Sequence, residues 1–178
     1  MNDKKHVVFL RGINVGGHHK VPMAELREEI KKLGYQEITT ILNSGNIIFK
    51  SEKKPVANKI SRQLEDRFGF PVPVVVVEAD SVRDLLKNNP FKDEEITKDI
   101  RFYVSFLWKD QDSSIGLPWY APDQSFKILA KRNGMLLSVL DLAASKTPKA
   151  MATLEDFYGT EITTRNWKTI ERIGKKLI

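Results

Sequence analysis

The chain has 178 residues, of which 41% are hydrophobic and 29% charged, an ordinary globular composition that supports one sizeable core or two smaller ones. It contains no cysteine, so disulfides and thiolate chemistry are excluded, and its formal charge of +6 favours polyanions or phosphorylated ligands as partners. No run of eighteen apolar residues is present and Val7–Leu10 is too short for a signal core, so the expectation is a cytoplasmic protein of two compact halves with no membrane partner.

In chain order, His6 to Arg11 is a short apolar strand. It empties into Arg11 Gly12 Ile13 Asn14 Val15 Gly16 Gly17 His18 His19 Lys20. A strand running through three glycines toward a helix leaves backbone N–H groups unpaired around one spot, which attracts anions. The helix follows, with Pro22 at its start, Glu25 in its first turn, Leu26, Ile30 and Leu33 at helical spacing, and Gly34 as its stop. Ile38 to Leu42, the turn Asn43 Ser44 Gly45 Asn46, and Ile47 to Phe49 read as a β-hairpin. Pro55 opens a second helix with Ile60, Leu64 and Phe68 on one face and Gly69 at its end, and Val72 to Val77 is a β-branched strand.

This βαββαβ order predicts an α+β protein whose first domain is ferredoxin-like, a four-stranded antiparallel sheet covered on one face by two helices. In that topology the first and third strands are antiparallel neighbours, which places Arg11 beside Asn46. The shared edge is expected to collect Arg11, Gly12, Asn14, Gly16, Gly17, Lys20, Ser44 and Asn46. Glu78, at the end of the last strand, is expected to join them as a carboxylate.

The second half is less regular. Ser81 to Leu86 reads as a short helix capped by Ser81, and Phe91 to Asp99 as a charged connector, which sets the domains at 1–92 and 93–178. Ile100 to Trp108 is an alternating strand. Gly116 to Pro122 is an aromatic loop, and Phe126–Lys131 joins Met135–Leu140 through Asn133 Gly134, the strongest short hairpin signal. A helix around Ala152–Tyr158 precedes a last helix, opened by Thr163 or Thr164 and running to the C-terminus. Trp167, Ile170, Ile173 and Leu177 would bury one side of it, while Arg165, Lys168, Arg172 and Lys175 line another as a solvated face. Arg165 would oppose the dipole at that helix start, so an anion contact is the sharper reading for it.

Named motifs do not fit the glycine loop. Gly12 and Gly17 have P-loop spacing, but His18 and His19 stand where lysine and serine or threonine are required. Asn14 occupies the second glycine of a dinucleotide fingerprint. A generic anion nest remains, against the plainer reading of a tight turn that lets strand and helix pack closely. His18 and His19 have no cysteine or spaced acid as a further ligand, so no metal is expected. Ser44 lacks the glycine-flanked elbow of a hydrolase, which leaves catalysis and any cofactor open. Phe102, Tyr103, Phe106, Trp119 and Tyr120 could stack bases, but Phe102 and Phe106 share a strand face and read as core.

Leu10–Gly17, Lys20–Leu26, Asn43–Asn46 and Thr164–Trp167 together closely resemble an uncharacterised bacterial family, domain-of-unknown-function family 1697. The resemblance runs from the first strand to the last helix. It implies two α+β halves with a ferredoxin-like first domain, and it implies no catalytic residues. Asn43 stands where many relatives carry glutamine. Because the third motif lies at Thr164–Trp167, Arg165 and Asn166 are expected to come from the second domain and close a cleft over the glycine loop, with Trp167 as anchor. The alternative is that the motifs cement a domain interface. Three functions follow in order: a site for an anionic or phosphate-bearing small molecule, an interaction or oligomerisation module displaying Trp119 and Tyr120, and a nucleic-acid binder with a basic face.

Overall fold

The computed structural model describes residues 4–178. They form two compact units, one running up to Asp84 and taking in Arg172–Ile178, the other Leu85–Glu171. The division lies upstream of the 92/93 boundary read from the charged connector, and the C-terminal residues belong with the first unit.

Unit 1 carries β1 (Lys4–Leu10), α1 (Met23–Lys32), β2 (Gln36–Ile41), β3 (Asn46–Ser51), α2 (Ala57–Phe68) and β4 (Val74–Glu78). The sheet order is β2-β3-β1-β4, and every pairing is antiparallel. β1 holds a central place because Val7, Val8, Phe9 and Leu10 are almost wholly buried, so both of its faces need cover. Val8, Leu10, Ile47, Phe49 and Val74 share one core with Leu26 and Ile30 of α1 and Ile60 and Leu64 of α2. Each of those four helical side chains is fully buried, worth about 1.5–3 kcal/mol apiece. Gly69, left-handed at φ 82, ends α2 as its sequence position predicts. The two helices are also tied through Glu29, whose carboxylate accepts from Lys32 at 2.7 Å and from Gln63 at 2.6 Å.

The pairing overturns one expectation. Glu78 registers with His6, at the beginning of β1, and Val74 registers with Leu10. β4 runs antiparallel to β1, so its start, not its end, reaches the glycine-loop edge. The expected carboxylate is therefore absent from that edge.

α3 (Ala79–Lys87) carries the chain from unit 1 into unit 2. Ser81 is its third residue, so it does not cap the helix. Unit 2 then holds β5 (Ile100–Leu107), β6 (Trp119–Tyr120), β7 (Phe126–Arg132), β8 (Met135–Asp141), α4 (Thr147–Tyr158) and β9 (Ile162–Asn166), and α5 (Trp167–Gly174) begins there. Its sheet order is β6-β7-β8-β5-β9, antiparallel throughout. Asn133 at φ 49 and Gly134 at φ 73 give the β7–β8 turn the two positive φ values of a type I′ hairpin. Ala150, Leu154 and Tyr158 of α4 pack with Tyr103, Ile128, Leu136 and Leu140 of the sheet.

Two further readings change here. The segment Gly116–Pro122 contains the short strand β6, and Trp119 packs edge-on against Phe126 and Phe157, leaving Tyr120 as its exposed aromatic. Thr163 and Thr164 lie in β9 opposite Phe106 and Ser105, and α5 starts only at Trp167 and stops at Gly174. The β-branched run Ile162–Thr164 suits a strand, and Thr163 Oγ1 accepts from Trp108 Nε1 at 2.9 Å while Thr164 Oγ1 shares a hydrogen bond with Ser105 Oγ at 2.7 Å.

Candidate functional site

The glycine loop and the 43–46 turn share one edge of unit 1, as the strand order demands. Phe9 registers with Asn46, and Leu10 N–H donates to the Gly45 carbonyl at 2.8 Å. Arg11 N–H donates to the Pro73 carbonyl at 3.0 Å, which brings in the segment before β4. Gly45 makes the close approach possible. A Cβ there would stand 2.7 Å from Leu10 Cβ and 2.9 Å from Ile13 Cδ1, and its φ is +89.

The loop itself is a miniature hairpin rather than a nest opening a helix. Asn14 N–H donates to the His19 carbonyl and His18 N–H to the Val15 carbonyl, both at 3.0 Å. Gly16 (φ 58) and Gly17 (φ 76) are the central pair, with the double positive φ of a type I′ turn, which Gly-Gly satisfies without strain. α1 begins later, at Met23, so its free amides are not continuous with the glycines. Gly12, Gly16 and Gly17 are exposed, and among the described residues their amides have no hydrogen-bond partner.

Asn14 holds the hairpin to its surroundings. Its Nδ2 donates to the Val21 carbonyl at 3.1 Å and to the Asn43 carbonyl at 2.7 Å, while its Oδ1 accepts from Val21 N–H at 2.8 Å. Both amide hydrogens are thereby committed to backbone, and its own φ of 53 is in the left-handed region that asparagine tolerates. Asn46, fully buried, donates from Nδ2 to the Ile41 carbonyl at 2.8 Å and to Ser44 Oγ at 3.0 Å, closing the turn. These two expected ligand contacts are positioning residues. His19 stacks on Phe70 with ring centroids 4.3 Å apart and sets its Nδ1 3.2 Å from the Gly12 carbonyl, which leaves His18 as the outward histidine. What the edge presents outward is the half-buried Arg11 and the exposed Lys20, Ser44, Gly12, Gly16 and Gly17.

Arg165 and Asn166 belong to unit 2. Arg165 registers with Val104 inside β9, so the helix-dipole argument for it falls. Burial lowers its guanidinium pKa to about 10, and Nη1 donates to the Thr164 carbonyl at 3.0 Å. Asn166 Oδ1 accepts from Lys168 N–H at 2.9 Å, the bond of a helix cap, so the side chain that starts α5 is Asn166. Trp167 is buried and meets Phe91 edge-on at 5.1 Å.

A concavity of about 450 Å³ opens where β3 ends in unit 1, lined by Lys50, Lys53, Lys54 and Lys59 together with Tyr35 and Glu52 among others. The register sets it at the far end of β1 and β3 from the hairpin, since Ser51 pairs with Lys4 and Asn46 with Phe9. The sequence reading did not single it out. Its signal was the lysine-rich run from Lys50 to Lys54 ahead of Pro55.

A family model described as a protein of unknown function, DUF1697, matches residues 4–118. The chain belongs to this family. The matched stretch contains the Leu10–Gly17, Lys20–Leu26 and Asn43–Asn46 motifs, while Thr164–Trp167 lies beyond it. This DUF1697 chain is similar to a solved structure, the conserved bacterial protein SP0830 from Streptococcus pneumoniae, at 24% identity over 99% of this chain and 100% of that one, with a TM-score of 0.71. That likeness shows the fold. No curated protein matches. Among the described residues no helix is long and apolar enough to cross a membrane.

Proposed function

We propose that this DUF1697 protein binds a small anionic, phosphate-bearing molecule at the unit 1 edge formed by residues 11–20 and 43–46. The observation that carries the reading is a solvent-exposed hairpin held rigid where burial does not require it. Asn14 (φ 53) and His19 (φ 51) both sit in the left-handed region, and Asn14 spends three hydrogen bonds keeping the hairpin seated. Backbone strain maintained on an exposed loop is characteristic of binding sites, because a pre-ordered loop avoids the entropy loss of ordering on contact. The ligand's charge follows from the residues: segments 11–20 and 43–46 contain Arg11 and Lys20 and no acid, beside the Gly12, Gly16 and Gly17 amides, which have no hydrogen-bond partner among the described residues.

A thermal-shift screen with pyrophosphate, sugar phosphates and nucleoside phosphates tests it. A ligand at a hundred times its Kd stabilises the folded state by about 2.7 kcal/mol, which is roughly 5–10 °C for a chain of this size. The hit is expected to shift the native protein, to perturb the Gly12, Gly16 and Gly17 amide resonances, and to lose its effect in Arg11→Ala/Lys20→Ala. A hit that keeps its full shift in that variant overturns the reading.

A further inference from the structure

From the cavity at the end of β3 we infer a second binding site, separate from the hairpin edge, for a small molecule carrying two or more phosphate groups. The cavity is lined by four lysines against a single carboxylate, Glu52. Lys50 is neutralised by Glu37 at 2.5 Å, but Lys53, Lys54 and Lys59 make no ion pair among the described residues. Three ammonium groups gathered around one concavity repel each other, a cost the fold bears for no packing return, since all three side chains are exposed. A multiply charged anion would relieve that repulsion.

The size sets the ligand class. About 450 Å³ is within the range of small-molecule sites, roughly 300–1,000 Å³, and equals the liquid volume of roughly fifteen waters, more than one orthophosphate fills. The lining cations are lysines and include no arginine, so the anion is met by point charges rather than by a planar fork, the way a P-loop lysine meets phosphate. The walls are fixed. Tyr35 stacks on Phe49 at 4.1 Å with an interplanar angle of 9°, and Ser51 Oγ donates to the Lys53 carbonyl at 2.5 Å, holding the turn that carries Lys53 and Lys54.

Calorimetric titration of the full chain at low ionic strength, with tripolyphosphate and with orthophosphate as probes, decides the matter. Native protein and Arg11→Ala/Lys20→Ala are expected to bind tripolyphosphate alike, at least about tenfold more tightly than orthophosphate. Lys53→Gln/Lys59→Gln is expected to lose about fivefold or more in affinity while keeping its circular dichroism spectrum, because both side chains are exposed. Binding that survives Lys53→Gln/Lys59→Gln and disappears in Arg11→Ala/Lys20→Ala overturns the inference and leaves the hairpin reading standing. The reverse loss is the result expected here, and the hairpin reading stands or falls by its own thermal-shift screen. Absence of tripolyphosphate binding, or binding confined to a single-stranded oligonucleotide, also overturns it, the latter in favour of a nucleic-acid surface.

Discussion

Gly45 and Gly12 both have positive φ, at +89 and +73, yet they answer different demands. A methyl at Gly12 meets nothing within 4 Å, so Gly12→Ala carries only the backbone penalty of about 1–2 kcal/mol. At Gly45 the same methyl collides with Leu10 and Ile13, a main-chain-proximal Cβ and a fully buried side chain that cannot swing away. Gly45→Ala is therefore expected to lose roughly 3–5 kcal/mol, combining overpacking with the φ penalty, and urea unfolding of the two variants side by side measures the gap. Equal losses would show that Leu10 yields. The sequence marked both glycines as turn residues but could not rank them, because the collision at Gly45 is with a residue thirty-five positions away in the chain. Asn14 was legible only as an edge residue for the same reason: its shortest bond is to the Asn43 carbonyl, and its role is visible only once both strands are paired.

At the level of elements, α1 and α2 are joined by a charge that titrates. Hydrogen bonds from Lys32 and Gln63 hold the Glu29 carboxyl below the usual carboxylate range. A depressed folded-state pKa contributes stability that is complete above the unfolded value, near 4.5, and is lost as pH falls through the folded one. Unit 1 should thus show an acid limb that starts below that value. Glu29→Gln, which keeps the shape and removes the charge, is expected to cost about 1–2 kcal/mol at neutral pH and to flatten that limb in thermal melts between pH 3 and 6. An unchanged limb would mean that another carboxylate carries it. Elements with a local signature were readable: the helical spacing of Leu26 and Ile30, the αL stop at Gly69, and the Asn133–Gly134 turn between two apolar runs. Three were not. The Gly16–Gly17 hairpin has arms too short to show alternation, and β9 is defined by pairing to β5 across a long stretch of chain just before a helical pattern begins. The place of Glu78 depends on the antiparallel pairing of β4 with β1, a long-range register with no local signature.

Across the whole molecule, the chain returns at its end to the unit where it began. Ile173 and Leu177 are buried there, and Arg83 Nη2 donates to the Leu177 carbonyl at 2.6 Å. Deleting residues 175–178 removes that buried leucine, so unit 1 is expected to lose about 2–5 kcal/mol, read as faster hydrogen exchange at the amides of Val8 and Ile48. Unaltered exchange would show that the tail only lies on the surface. The exposed tip of the first hairpin has a practical corollary. Val15 is 65% exposed, and the chain has no cysteine of its own. A single thiol introduced at Val15 would thus be unique in the protein, giving a dye or spin label one address, beside Gly16 and Gly17, from which occupancy of this edge can be watched directly.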